Sequence, residues 1–146
     1  MENAQVPWMV VVGSSWASPL YNSPDSEVAE LIITVSKRIR IDAAHFLPEY
    51  DGPCKNVHGH SWIIEVGVKG PVKKNGMVMD FKDLGKFLDR IEKKFDHTLI
   101  NDTIKNPTAE NIIKYIEKES FDYLELPLEF IRTWETPDSC AEWRAD

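Results

Sequence analysis

The sequence predicts an α+β fold in the order β-β-α-α-β-β, with two helices on one face of a four-stranded antiparallel sheet. Three observations predict it. Two early segments are rich in Ile and Val and alternate with a period of two. Two central segments place their apolar residues at helical spacing. The chain then returns to strand-like composition after Pro127.

The first strand runs from Leu31 to His45 and carries Ile32, Ile33, Val35, Ile39 and Ile41. Residues 46–57 hold Pro48, Asp51-Gly52-Pro53 and Asn56, a loop composition. His60 to Gly70 alternates through Trp62, Ile64, Val66 and Val68 and forms the second strand, closed by the turn Lys73-Lys74-Asn75-Gly76. Asp80 is placed to cap a helix on which Phe81, Leu84, Phe87, Leu88 and Ile91 fall on one face and which stops near Lys94. Pro107 suits the first turn of a second helix, capped by Asn106, with Ile112, Ile113 and Ile116 turned inward. Pro127 to Thr136 reads as the third strand, Pro137-Asp138 as a turn, and Cys140 to Arg144 as a short fourth strand.

Residues 1–30 stand apart as an N-terminal extension to which no role is assigned; within them Val10 to Val12 has the composition of a short strand. Residues 31–146 form a single domain. The chain has 146 residues, enough for one hydrophobic core. At 42% hydrophobic and 28% charged it is composed as an ordinary globular protein. The net charge of −7, with no Lys/Arg cluster, makes the chain a poor general binder of nucleic-acid backbone, and no nucleic-acid partner is expected. The most apolar early run, Pro7 to Gly13, is far short of the roughly 20 residues of a membrane-spanning helix. It also lacks the basic start of a signal peptide. A cytoplasmic location with no membrane partner is the expectation. Two cysteines, Cys54 and Cys140, do not make a disulfide framework.

The chemistry-bearing feature is a histidine cluster. Three of the four histidines lie within the 16 positions from 45 to 60, two of them as His58-Gly59-His60. Residues i and i+2 of a strand project to the same side, and hairpin pairing of the first two strands brings His45 alongside. Taken singly, each histidine is an ordinary hydrogen-bonded side chain; the clustering points to a metal site. Three imidazoles with an open fourth position is the arrangement of catalytic zinc. Cys54, four residues before His58 in a Gly/Pro loop, is either a further ligand or a reactive thiol. Asp96 precedes His97, and an aspartate beside an imidazole sets its tautomer and raises its basicity. Glu135, between Trp134 and Thr136, is able to accept paired hydrogen bonds from the amidine-like edge of a guanine or pterin ring.

Taken in chain order, Ala43-Ala44-His45, Cys54-x3-His58-Gly59-His60-Ser61-Trp62, Gly76 to Phe81, Asp96-His97, Asn106-Pro107-Thr108-Ala109-Glu110-Asn111 and Trp134-Glu135-Thr136 closely resemble the 6-pyruvoyltetrahydropterin synthase / 6-carboxytetrahydropterin synthase family. The resemblance runs from about residue 33 to the C-terminus. It implies a tunnelling fold (T-fold), barrel trimers stacked as a homo-hexamer, and active sites at subunit interfaces. It implies Zn2+ held by His45, His58 and His60. Cys54 matches the catalytic base, with Asp96 and His97 as the rest of the catalytic triad. Glu135 matches the pterin anchor and Thr108 a second pterin contact. The implied substrate is 7,8-dihydroneopterin triphosphate.

The branches of the family differ in product. One gives 6-pyruvoyltetrahydropterin by eliminating triphosphate. The other also cleaves away two carbons as acetaldehyde and gives 6-carboxytetrahydropterin, a precursor of queuosine and related 7-deazaguanines. The three-residue gap between Cys54 and His58 resembles the carboxy branch. A third branch, making 6-hydroxymethyl dihydropterin, carries Glu where this chain has Cys54. A non-catalytic zinc- or pterin-binding module is the alternative from another class. The resemblance does not place the triphosphate-binding cations; Lys37, Arg38, Arg40, Lys55 and Lys82 are candidates by charge alone.

Overall fold

The computed structural model describes residues 30–146. The strand proposed at Val10 to Val12 lies outside the described residues. Four strands, β1 (Ile32–His45), β2 (His58–Pro71), β3 (Leu128–Thr136) and β4 (Ser139–Arg144), form one antiparallel sheet in the order β1-β2-β3-β4. Helices α1 (Phe81–Phe95) and α2 (Ala109–Ser120) lie between β2 and β3 in the chain. The α+β order and topology are as expected from the sequence.

Alternation explains which face the helices cover. Ile41 of β1 pairs with Trp62 of β2, and Ile64 pairs with Thr133 of β3. Directly paired residues share a face, and these four are 0 to 1% exposed. Against that face α1 packs Leu84, Phe87, Leu88, Ile91 and Phe95, and α2 packs Ile112 and Ile116. Helix α1 lies over β1, and α2 over β3 and β4. Full burial of one such side chain contributes about 1.5–3 kcal/mol.

The opposite face is polar. Ser36 Oγ donates to Glu65 at 2.8 Å, Arg132 pairs with both Glu65 and Glu142, and Arg144 pairs with Glu142. Ile63, Trp134 and Phe130 are apolar members of this face, and Phe130 lies across Gly67, where a Cβ would run into the Phe130 ring.

Asp80 caps α1, its carboxylate accepting from Lys82 N at 2.8 Å. The expected cap of α2 is corrected. Thr108, not Asn106, is the N-cap, its Oγ1 accepting from Asn111 N at 3.2 Å. Pro107 sits before the cap, outside the helix. The second strand also starts earlier than its alternation suggested, at His58.

Part of the free edge of β1 is covered. Its successive outward N–H groups at 42, 44 and 46 donate to Asp96 Oδ1 (2.8 Å), the Thr98 carbonyl (3.0 Å) and Asn101 Oδ1 (2.9 Å). The segment after α1 thus runs along the end of β1 that carries His45. No helix among the described residues is long and apolar enough to cross a membrane.

Candidate metal centre and its flanking cavities

The inward rows of the sheet change character at one end. Ile39, Ile41 and Ala43 lead to His45 on β1, and Ile64 and Trp62 lead to His60 and His58 on β2. His45 and His58 are direct cross-strand partners, and Ala43 faces His60. Trp62 lies beneath the imidazoles, its ring centroid 5.0 Å from that of His45 and 5.5 Å from that of His60. On β3 Glu135 follows Ile131 and Thr133 along the inward face, beside a slip of the β3–β4 ladder between Trp134 and Thr136. Glu135 Oε1 lies 3.3 Å from His45 Nε2 and 3.6 Å from His60 Nε2.

The tautomers follow from the backbone. His45 Nδ1 is 2.9 Å from the Pro107 carbonyl, and His58 Nδ1 is 2.7 Å from the Asn56 carbonyl. A carbonyl only accepts, so each Nδ1 carries the proton and donates. The two Nε2 atoms, 3.1 Å apart, then face each other with lone pairs. His60 Nε2 is buried with no hydrogen-bond partner. Four donor atoms, from His45, His58, His60 and Glu135, lie within 4.8 Å of one another. Desolvation pushes the His45 and His60 imidazoles below the usual histidine range, favouring their neutral, ligating form. Such a donor set fits a metal cation.

Asp96 and His97 form a second, separate constellation. Asp96 Oδ1 accepts from Asp42 N, and its Oδ2 accepts from His97 Nδ1 at 2.7 Å. The backbone bond from Asp42, then the bond from His97, hold the Asp96 carboxyl below its ordinary range. The bond to Asp96, and then its charge, push His97 above its own. His97 has φ 56, in the left-handed region, and its N–H donates to the Asp42 carbonyl at 2.8 Å. The ring is 79% exposed. Nε2 is left free to exchange a proton with a ligand. Asp42, His60, Ser61, His97 and Thr98 line one open cavity of about 540 Å³.

A smaller cavity, about 380 Å³, opens on the Glu135 side and is lined by Leu47, Tyr50, Thr108, Glu110, Glu135 and Cys140. Thr108 and Glu135, which the family resemblance pairs as pterin contacts, therefore share a cavity. Glu110, in the first turn of α2, is a second carboxylate there that sequence reasoning missed; its place in Asn-Pro-Thr-Ala-Glu-Asn was the available signal.

Cys54 is half-buried in a 3-10 turn, Pro53–Lys55. Its carbonyl accepts from Leu47 N at 2.8 Å. The thiol belongs neither to the four-atom cluster nor to the lining of the His60–His97 cavity. One chain thus gathers the three histidines with Glu135, pairs Asp96 with His97, and leaves Cys54 apart from both. Of the cation candidates, Lys37 is committed under α1, 3.5 Å from the Phe81 carbonyl and against Gly85. Arg40 bonds Ser61 at 2.8 Å, at the edge of the His97 cavity. The larger cavity along α1, about 600 Å³, holds no predicted catalytic, metal or pterin residue, and its cations are largely engaged: Lys86 with Asp83, Lys73 with Glu125, Arg90 over Tyr123.

Residues 34–146 match the sequence profile of the 6-pyruvoyl tetrahydropterin synthase family. The chain belongs to this family. Among its relatives in the family is a putative 6-carboxy-5,6,7,8-tetrahydropterin synthase of Archaeoglobus fulgidus. The two are 43% identical over 115 residues, covering 79% of this chain and 96% of the relative. A dihydroneopterin monophosphate aldolase of Pyrococcus furiosus is 41% identical over 81 residues, covering 56% of this chain and 68% of the relative. The fold matches that of 6-pyruvoyl tetrahydropterin synthase from Caenorhabditis elegans with a TM-score of 0.73 at 24% identity, over 80% of this chain and 98% of the other. The four-stranded sheet with two helices is thus the T-fold of this family.

Proposed function

We propose that this chain is a zinc-dependent lyase converting 7,8-dihydroneopterin triphosphate to 6-carboxy-5,6,7,8-tetrahydropterin, with release of acetaldehyde and triphosphate. The observation that carries the reading is the convergence of three imidazoles and Glu135, their donor atoms within 4.8 Å of one another. The A. fulgidus relative supports the carboxy branch, as does the three-residue gap between Cys54 and His58.

Zinc is the metal of choice for neutral imidazole donors. Held by His45, His58 and His60, it would supply Lewis acidity to the substrate's side-chain hydroxyls and so acidify the adjacent C–H. Glu135 is kept as the pterin anchor, which leaves the fourth metal position to substrate; Thr108 and Glu110 line the same cavity. Cys54 takes the proton from carbon as thiolate. His97, whose protonated form Asp96 favours, donates and relays protons through Nε2. The separation of Cys54 from Asp96–His97 within one chain suits a site completed by a second subunit.

The same reading carries a homo-hexamer of two barrel trimers, a cytoplasmic location and a place in queuosine or related 7-deazaguanine synthesis. Strands β1 and β4 at the two sheet edges suit strand addition by further copies. Residues 31–146 form the single functional domain, and residues 1–30 are an added segment.

The P. furiosus relative favours one second reading, an aldolase acting on a pterin side chain. An aldolase breaks a carbon–carbon bond without eliminating triphosphate. Incubating zinc-loaded protein with dihydroneopterin triphosphate therefore separates the readings. Acetaldehyde, triphosphate and a carboxy-pterin together are expected. Triphosphate with a pyruvoyl product moves the chain to the pyruvoyl branch, carbon–carbon cleavage without triphosphate selects the aldolase, and no turnover overturns the lyase.

A further inference from the structure

His45 depends on a carbonyl far away in sequence, so whatever holds that carbonyl holds the ligand. The Pro107 carbonyl, 62 residues on, accepts the His45 Nδ1 proton. Proline supplies no N–H, so that carbonyl is the one backbone hydrogen-bonding group Pro107 has, and its position depends on the bonds of its neighbours.

Two asparagines supply the ties. The Asn101 side chain makes three hydrogen bonds and uses both of its donors. Oδ1 accepts from Phe46 N at 2.9 Å; Nδ2 donates to the Phe46 carbonyl at 2.8 Å and to the Lys105 carbonyl at 3.3 Å. One amide group therefore joins the residue directly after His45 to the segment that carries Pro107. Asn111 closes the other side: its Nδ2 donates to the Asn106 carbonyl at 2.8 Å, while its backbone N–H takes the Thr108 cap. Pro107, itself buried, is bracketed by these bonds.

We propose that Asn101 and Asn111 are positioning residues of the metal centre, fixing the Pro107 carbonyl and the backbone after His45 so that His45 Nε2 stays aimed at the site. The proposal rests on the reading of His45, His58 and His60 as metal ligands. An amide is required at 101 because the position needs two donors and an acceptor on one rigid plane. Aspartate keeps the acceptor, loses both donors, and sets a carboxylate oxygen against the Phe46 carbonyl. Partners that orient a ligating histidine govern metal affinity as well as packing.

The test uses the full chain with zinc, and with cobalt(II) as a spectroscopic probe. Zinc affinity by chelator competition and the cobalt visible spectrum are read for wild type, His45→Ala, Asn101→Asp, Asn111→Ala and Asn75→Ala. Asn75 is a control for local backbone bonding: its Oδ1 accepts from Met77 N in the turn before α1. Wild type binds zinc and His45→Ala loses it. Asn101→Asp weakens zinc binding about 10–100-fold with an altered cobalt spectrum. Asn111→Ala shifts both in the same direction by less, and Asn75→Ala changes neither. In the metal-free protein the 15N shifts of His45 should report the Nδ1-protonated tautomer in wild type and a mixture in Asn101→Asp. Wild-type affinity and cobalt spectrum in both asparagine variants, whatever their melting temperatures, overturn the proposal. If Asn101→Asp does not fold, Asn111→Ala decides it on the same readouts. A wild type that binds no metal removes the metal reading itself, a different result from a wild type that binds while the asparagine variants bind equally well.

Discussion

His45 and His97 are the same residue type at one end of the same sheet, and their surroundings drive them in opposite directions. His45 is fully buried against Trp62, and desolvation keeps its ring neutral. His97 is exposed on a left-handed residue, and Asp96 keeps its ring charged to higher pH. The difference teaches how one strand end suits two kinds of chemistry. A ligand needs a lone pair and is placed where charge is costly; a proton donor needs its proton and is placed in water beside a carboxylate.

The largest effect expected from breaking this contrast is at the buried histidine. His45→Ala should abolish stoichiometric zinc and turnover together, measured by metal content after dialysis and by product release. Cys54→Ala comes next: metal content stays at wild type while kcat falls by about 10²–10⁴, the usual reach of a lost general base. Retained activity would remove Cys54 from its role. Glu135→Ala should then keep zinc and raise KM about 10–100-fold, as the loss of a charge-assisted bond to substrate of about 1.5–3 kcal/mol implies. Loss of zinc instead would make Glu135 a fourth ligand.

The smallest effect concerns pH. Asp96→Asn should bring the NMR titration of His97 down toward the ordinary histidine value of about 6.5. The sign for stability follows. His97 has its pKa raised in the folded chain, so its contribution is fully present below the unfolded value and fades as pH rises through the folded one. Asp96 has its pKa lowered, so its contribution is present above the unfolded value and fades as pH falls through the folded one. Melting curves of wild type and Asp96→Asn should therefore differ most between those limits and converge in strong acid.

Much of this was legible in the sequence because local pattern and tertiary structure agree. Alternation through Trp62, Ile64, Val66 and Val68 and the helical stripe from Leu84 to Ile91 are both realised as core. His-x-His on a strand needs only the pleat to place both rings on one side. The cap of α2 was less legible because Asn106 and Thr108 flank Pro107 and both are good capping residues; only the hydrogen bond from Asn111 N distinguishes them. The Pro107 carbonyl and the Asn101 amide left no pattern at all, since a backbone acceptor 62 residues away has no residue-type signature. Alternation puts Glu135 on the inward face with Ile131 and Thr133, but its approach to the imidazoles of β1 and β2 rests on the β2–β3 register, which no local pattern encodes.

The central claim is that the three imidazoles hold zinc and leave a position open for substrate. X-ray absorption of the zinc-loaded protein tests it most directly. The account predicts about three imidazole nitrogens at roughly 2.0–2.1 Å, with oxygen completing the shell and no sulfur. A zinc–sulfur distance near 2.3 Å, placing Cys54 on the metal, or a protein that takes up no zinc at all, would contradict it.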